Sequence, residues 1–281
     1  MKTKYKILLA IILITALPLQ SCDKKQPDTK HISKDTTGHT VKTRFTLPEG
    51  YTRITTEKNS FAQYLQNLPL KPEGTKALNY DGSEKQPNNV YIAVVNIDVG
   101  EKDLQQCADA IMRLRAEYLF QQLKYDEIKF NFTNGFTAQY IKWRQGYRIS
   151  VKGNNVNWIK KYEQNTSYDE FRKYLDLVFT YAGTLSLEKE LTPIQTNEIE
   201  IGSVFIKGGS PGHAVIVVDL AENKTTGEKI FLLAQSFMPA QDIQILKNPN
   251  SQNLSPWYST KIEDTLETPE WTFKKSQLRK F

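Results

Sequence analysis

The chain has 281 residues, 39% of them apolar, and 37 Lys and Arg against 31 Asp and Glu for a formal net charge of +6. Residues 1–43 hold eight lysines against three aspartates, so residues 44–281 carry only about +1. Nucleic-acid binding needs a concentrated basic face, and a folded part this close to neutral excludes it; 238 residues are ample for a sizeable core.

Lys2, Lys4 and Lys6 precede an apolar run from Ile7 to Leu17 and then Leu19-Gln20-Ser21-Cys22. A run of about 11 residues is too short to span a bilayer, which needs roughly 20. The order is a positive region, a short apolar region and a small residue before a cleavage point, which predicts a removed signal over residues 1–21. Cys22, with Leu19 three positions earlier, resembles the end of a bacterial lipoprotein signal. That resemblance implies an acylated Cys22 (palmitate among its chains), a lipid bilayer as partner, and a membrane-anchored place in the bacterial cell envelope, on its periplasmic or surface face. Residues 22–43 are almost devoid of apolar side chains past the cysteine and read as a flexible tether. His31 and His39 lie in it with no neighbouring cluster at ligand spacing, so no metal site is expected there.

Residues 44–281 read as one α+β domain, with an N-terminal subregion over 44–100. Residues 44–56 are an extended lead-in with a Pro-Glu-Gly turn, Ser60–Leu68 a short helix stopped by Pro69, and 69–89 a loop rich in Pro, Gly and Asn. Val90–Val99 is a buried strand broken by Gly100. Asp103 three residues before Gln106 suggests a capping box, and Leu104, Cys107, Ile111, Leu114 and Tyr118 mark one face of a helix ending near Leu123. Arg113 and Arg115 read as its solvated face, or as partners of Glu117. Residues 128–152 hold short β-type runs, and Ser167 opens a second helix with Glu170 in its capping position and Gly183 as its stop. Gly202–Ile206, His213–Asp219 and Lys229–Gln235 read as an antiparallel meander, with a fourth strand near Asp242–Leu246. Four tryptophans, at 143, 158, 257 and 271, offer either core packing or a sugar-binding platform. No phosphate-binding loop, dinucleotide fingerprint or zinc spacing is present, and no cofactor is expected.

Beyond the tether the chain keeps one cysteine, Cys107, and one histidine, His213, the components of a thiol–imidazole dyad. Near a helix start the dipole favours the thiolate. His213 opens a strand after Gly208-Gly-Ser-Pro-Gly212. If the following hairpin centres on Lys224 or Thr225, His213 lies opposite Gln235 or Phe237, so Gln235 can orient the imidazole. Asp219 shares that face but lies roughly 20 Å along the strand at 3.3–3.4 Å per residue, too far to serve. Taken singly, Cys107 fits a buried structural thiol and His213 a turn cap equally well.

The order Gln106-Cys107-Ala108, Gly202-Ser203-Val204, Gly212-His213-Ala214-Val215 resembles the papain-like amidases of the bacterial envelope, the CHAP and NlpC types. The resemblance implies a papain-like core over 101–281, with an insertion at 128–200. It implies a helix carrying Cys107 packed on an antiparallel sheet carrying His213. It also implies a cysteine hydrolase, amidase, peptidase or acyltransferase acting on peptidoglycan or peptide amides, with Cys107 as nucleophile, His213 as base, Gln235 as orienting residue and Gln106 as oxyanion donor. Ser203 stands where those families carry Asp. The runs Asp103–Tyr118, Gly208–Asp219 and Leu233–Gln241 are similar to an uncharacterised lipoprotein family, domain of unknown function 4846, which implies the envelope location but no reaction. A non-catalytic binding or structural lipoprotein, glycan-binding in one form, is the alternative.

Overall fold

The structure, a computed structural model, describes residues 39–281; the signal, Cys22, His31 and the tether up to residue 38 lie outside them. Folded structure is already present before residue 44. Thr40 bridges Pro69, and helix α1 (Val41–Arg44) buries Val41 completely. Strand β1 (Tyr51–Arg53) follows, then helix α2 (Phe61–Gln66), whose Ser60 hydroxyl caps the Gln63 amide. After a loop over 67–90 comes β2 (Tyr91–Val94).

Helix α3 (Cys107–Gln121) starts three residues later than the Asp103 box would place it. Gln106 is the N-cap, and its backbone N–H donates to Asp109 Oδ2 at 3.1 Å. Asp103 instead accepts from Gln106 Nε2 at 3.1 Å and from the Ala240 backbone N–H at 2.7 Å, tying the helix start to the segment after the central hairpin. The single apolar stripe is also corrected, because α3 is buried nearly all round. Its polar residues pair inside the protein: Arg113 Nε donates to Glu117 Oε1 at 2.6 Å, and Arg113 is 1% exposed. Arg115 sits over the rings of Phe61, Tyr118 and Phe281.

Residues 128–191 pack on α3 through Tyr140, Tyr168 and Phe171, whose rings lie against Phe120. The short β-type runs expected there resolve into two hairpins, β3 (Lys129–Asn131) with β4 (Thr137–Gln139) and β5 (Tyr147–Lys152) with β6 (Asn155–Lys160), with a helix α4 (Tyr140–Arg144) between them. Helix α5 (Tyr168–Tyr181) is capped by Ser167, but the Glu170 carboxylate binds Arg148, Lys173 and Trp143 instead of closing the box. α5 ends at Tyr181 with Ala182 as C-cap, so Gly183 follows its end as expected, but in extended backbone, where it is also the N-cap of another helix, α6 (Thr184–Glu190). Phe120 of α3 stacks on Phe171 of α5 with ring centroids 4.4 Å apart.

The main sheet is antiparallel throughout and runs β2–β11–β10–β9–β8–β15–β7. Its members are β7 (Thr192–Pro193), β8 (Val204–Lys207), β9 (His213–Asn223), β10 (Lys229–Gln235), β11 (Gln244–Leu246) and β15 (Leu278–Lys280). β1 adds to β9, and β12 (Tyr258–Ser259) adds to β10. A separate hairpin pairs β13 (Thr265–Glu267) with β14 (Thr272–Lys274). β9 and β10 are central and almost wholly buried, with long apolar runs as strands covered on both faces have. One buried cluster runs from Val41 to Leu278. The architecture is α+β, with α3 packed on β9 and β10.

Candidate functional site

The central hairpin brings His213, the first residue of β9, and Gln235, the last of β10, to one end of the sheet. A bulge between Leu232 and Leu233 shifts the register, and the ladder closes at Ala234 opposite Ile216. Continued by that register, Gln235 lies diagonal to His213 rather than opposite it, within reach of a long side chain. The two meet: His213 Nε2 and Gln235 Oε1 are 2.9 Å apart. A carbonyl oxygen can only accept, so Nε2–H donates and Nδ1 is the unprotonated nitrogen.

The sequence reading missed what lies behind Gln235. Its Nε2 donates to Glu270 Oε2 at 2.6 Å, and Lys85 Nζ lies 2.8 Å from Glu270 Oε1. Glu270 sits in the β13–β14 turn and Lys85 in the loop before β2. No periodicity points to either, since both read as solvated loop charges; yet Lys85 is 1% exposed. Phe237, Trp271 and Phe273 surround the imidazole, with centroids 4.8, 5.4 and 5.9 Å away. Burial in this cage, and secondarily the Lys85 charge, push the imidazole down to about 4 against the support of Gln235. His213 is therefore neutral at pH 7.

Cys107 is the first residue of α3, where unpaired backbone N–H groups point at the side chain. The backbone amides of Ala108 and of Ala214, the latter one residue on from His213, favour the ionised form of the sulfur. Burial first and the Asp109 carboxylate second outweigh them and push the thiol up to about 11. Asp109 is itself buried, and burial holds its carboxyl up at about 8; Oδ1 has no hydrogen-bond partner. Cys107, Gln106 and Asp109 line a cleft of about 260 Å³ together with Gly183, Thr184 and the Ser210–Gly212 turn. A Cβ on Gly212 would fall 2.4 Å from the Gly209 carbonyl and 2.5 Å from Thr184 Oγ1, so that turn fits against α6 only with glycine.

The other candidates take structural places. Gln106 donates its side-chain amide to Asp103. Ser203 is buried, and its hydroxyl accepts from the Glu200 amide. Asp219 binds Arg53 Nε at 2.7 Å and Gln66 Nε2 at 2.8 Å, well inside β9. Trp143 and Trp257 are core residues, with Trp257 Nε1 donating to the Thr46 carbonyl. Among the described residues no group of His, Cys, Asp and Glu is arranged to hold a metal, and no helix is long and apolar enough to cross a membrane.

Fold and site define an α+β protein whose antiparallel sheet carries a hydrogen-bonded His213–Gln235 pair at one end. The chain belongs to the family described as Domain of unknown function (4846), whose model matches residues 41–280. No curated protein and no solved structure matches it.

Proposed function

We propose that this protein is a cell-envelope lipoprotein, anchored by an acylated Cys22, whose domain is a papain-like thiol amidase, peptidase or acyltransferase acting on peptidoglycan or a peptide. The observation that supports the reading is the His213–Gln235 hydrogen bond, one residue before the Ala214 amide that favours the ionised Cys107 sulfur. Cys107 attacks the carbonyl carbon while its proton passes to His213 Nδ1. The imidazolium returns that proton to the departing amine, and the thioester is resolved by water or by a second amine. Free N–H groups of the first turn of α3 face the developing oxyanion, while the Gln106 amide stays on Asp103. Because the resting thiol and imidazole are both neutral, proton transfer accompanies attack.

Alkylation tests the nucleophile. In a Cys22→Ser protein, Cys107 is the sole thiol. Iodoacetamide is expected to modify it in the native state roughly 100-fold more slowly at pH 7 than a thiol of ordinary pKa 9, with the rate still rising at pH 10. A Cys107 that reacts only after denaturant is added defeats the amidase reading. The anchor is tested separately: cells fed an alkyne palmitate should label the wild-type protein and leave Cys22→Ser unlabelled.

A non-catalytic binding lipoprotein is the second reading, favoured by the burial of both groups: Cys107 is 6% and His213 1% exposed. It requires Cys107→Ala to leave ligand binding and phenotype unchanged, whereas the amidase reading requires loss of turnover. A glycan-binding face would rest on the half-buried Trp158 and Trp271, since Trp143 and Trp257 are enclosed.

A further inference from the structure

We propose that Glu270, held by Lys85, is a positioning residue that sets the tautomer of His213 through Gln235; its consequence for catalysis rests on the thiol-amidase reading above. The two ends of the Gln235 amide are nearly the same shape and opposite in character. With Oε1 towards the ring, as observed, Nε2 of His213 carries the proton and Nδ1 keeps a lone pair. With the amide turned over, its NH₂ would donate to Nε2, the proton would move to Nδ1, and Nδ1 could no longer receive a proton from a thiol. Gln235 is 1% exposed, so water is not available to choose between the two.

Glu270 makes the choice. An ionised carboxylate only accepts, so it holds the NH₂ end of Gln235 at 2.6 Å and turns the carbonyl end to the imidazole. Lys85 Nζ pairs with its other oxygen, 2.8 Å away. A protonated Glu270 could itself donate and would permit the flipped amide. A buried ion pair is a poor source of stability, because desolvation offsets its attraction. Specifying one arrangement of a polar chain is a role that an apolar pair could not fill. The same short turn also places Trp271 against the imidazole, so one hairpin sets both the ring's packing and its protonation pattern.

The test reads the tautomer directly. The full chain is labelled with ¹⁵N-histidine, and two-bond ¹H–¹⁵N correlations are recorded at pH 7 with His213→Ala for assignment. Wild-type His213 should show a protonated Nε2 and a bare Nδ1. Glu270→Gln, whose amide donates as readily as it accepts, should raise the Nδ1–H form to about half the population. Glu270→Asp, which retains an acceptor-only end, should keep Nε2–H and guards against a variant that simply fails to fold. A wild-type ring protonated on Nδ1, or a Glu270→Gln spectrum identical to wild type, overturns the proposal. The readout needs no turnover. An inert Cys107 would remove the amidase reading and leave the tautomer result standing; a reactive Cys107 beside an unmoved tautomer would remove only this inference.

Discussion

Glu117→Ala should lower the stability of the domain by about 3–5 kcal/mol, the range for removing one partner of a buried ion pair. Arg113 lies in the middle of α3, and its guanidinium has four neighbours: Glu117, Gln105 Oε1 at 2.8 Å, Tyr168 hydroxyl at 3.1 Å, and Asp98 at 3.4 Å near the surface. The Tyr168 hydroxyl also donates to Glu117 Oε1 at 2.5 Å, so one carboxylate organises both cation and phenol. Truncating it leaves a guanidinium that is 1% exposed with Asp98 as its one remaining carboxylate contact. Glu117→Gln keeps the shape and one acceptor and should cost about 1–3 kcal/mol, the penalty for weakening a buried charged hydrogen bond. Arg113→Met with Glu117→Leu removes both charges together and should recover most of the loss. Urea midpoints at unchanged m-value measure all three. A Glu117→Ala midpoint equal to wild type would mean that water reaches the guanidinium.

Asp109→Asn should stabilise the protein at alkaline pH. Burial raises the folded carboxyl from 3.8 to about 8, so between those values the unfolded chain releases a proton that the folded chain retains. Stability is therefore fully present below pH 4 and lost as pH rises through 8. At about 1.4 kcal/mol per pKa unit the ceiling is about 5–6 kcal/mol, and local rearrangement around the charged form reduces it to an expected 2–3. Asn has the same shape, still accepts the Gln106 amide, and does not ionise. Its advantage should be absent at pH 4 and full at pH 9. His213 acts in the opposite sense: its folded value is depressed from 6.5 to about 4, so its contribution is lost as pH falls through that window. Between pH 4 and 6.5 the two slopes oppose each other in the wild type, and Asp109→Asn should expose the acid loss alone. Thermal unfolding from pH 4 to 9 checks both arms. Parallel curves for the two proteins would show that Asp109 is ionised in the folded state.

Much of the chemistry is legible because local rules reach it. A glycine-rich turn before an unbroken β-branched run predicts a buried strand beginning at His213, and hairpin symmetry carries Gln235 to the same end. A serine before an apolar period marks the starts of α2 and α5, since a short hydroxyl caps the first amides wherever it stands. These inferences need only neighbours in sequence. Where a distant group competes, they fail. Asp103 looks like a cap, but the Ala240 backbone claims it, and α3 begins at Cys107 with Gln106 as its N-cap. Gly183 does follow the end of α5, but in extended backbone rather than a left-handed stop, because it also caps α6.

The sequence by itself determined the α+β class, the antiparallel meander, the pairing of Gln235 with His213 and the early position of Cys107 on its helix, because hydrophobic period, turn residues and hairpin parity are properties of adjacent residues. Only the tertiary structure decided that Asp109, Arg113 and Glu117 lie in the interior and that Lys85 and Glu270 stand behind Gln235. A charged side chain looks the same in sequence whether water or a partner more than a hundred positions away satisfies it, and which of the two it meets is set when the chain closes on itself.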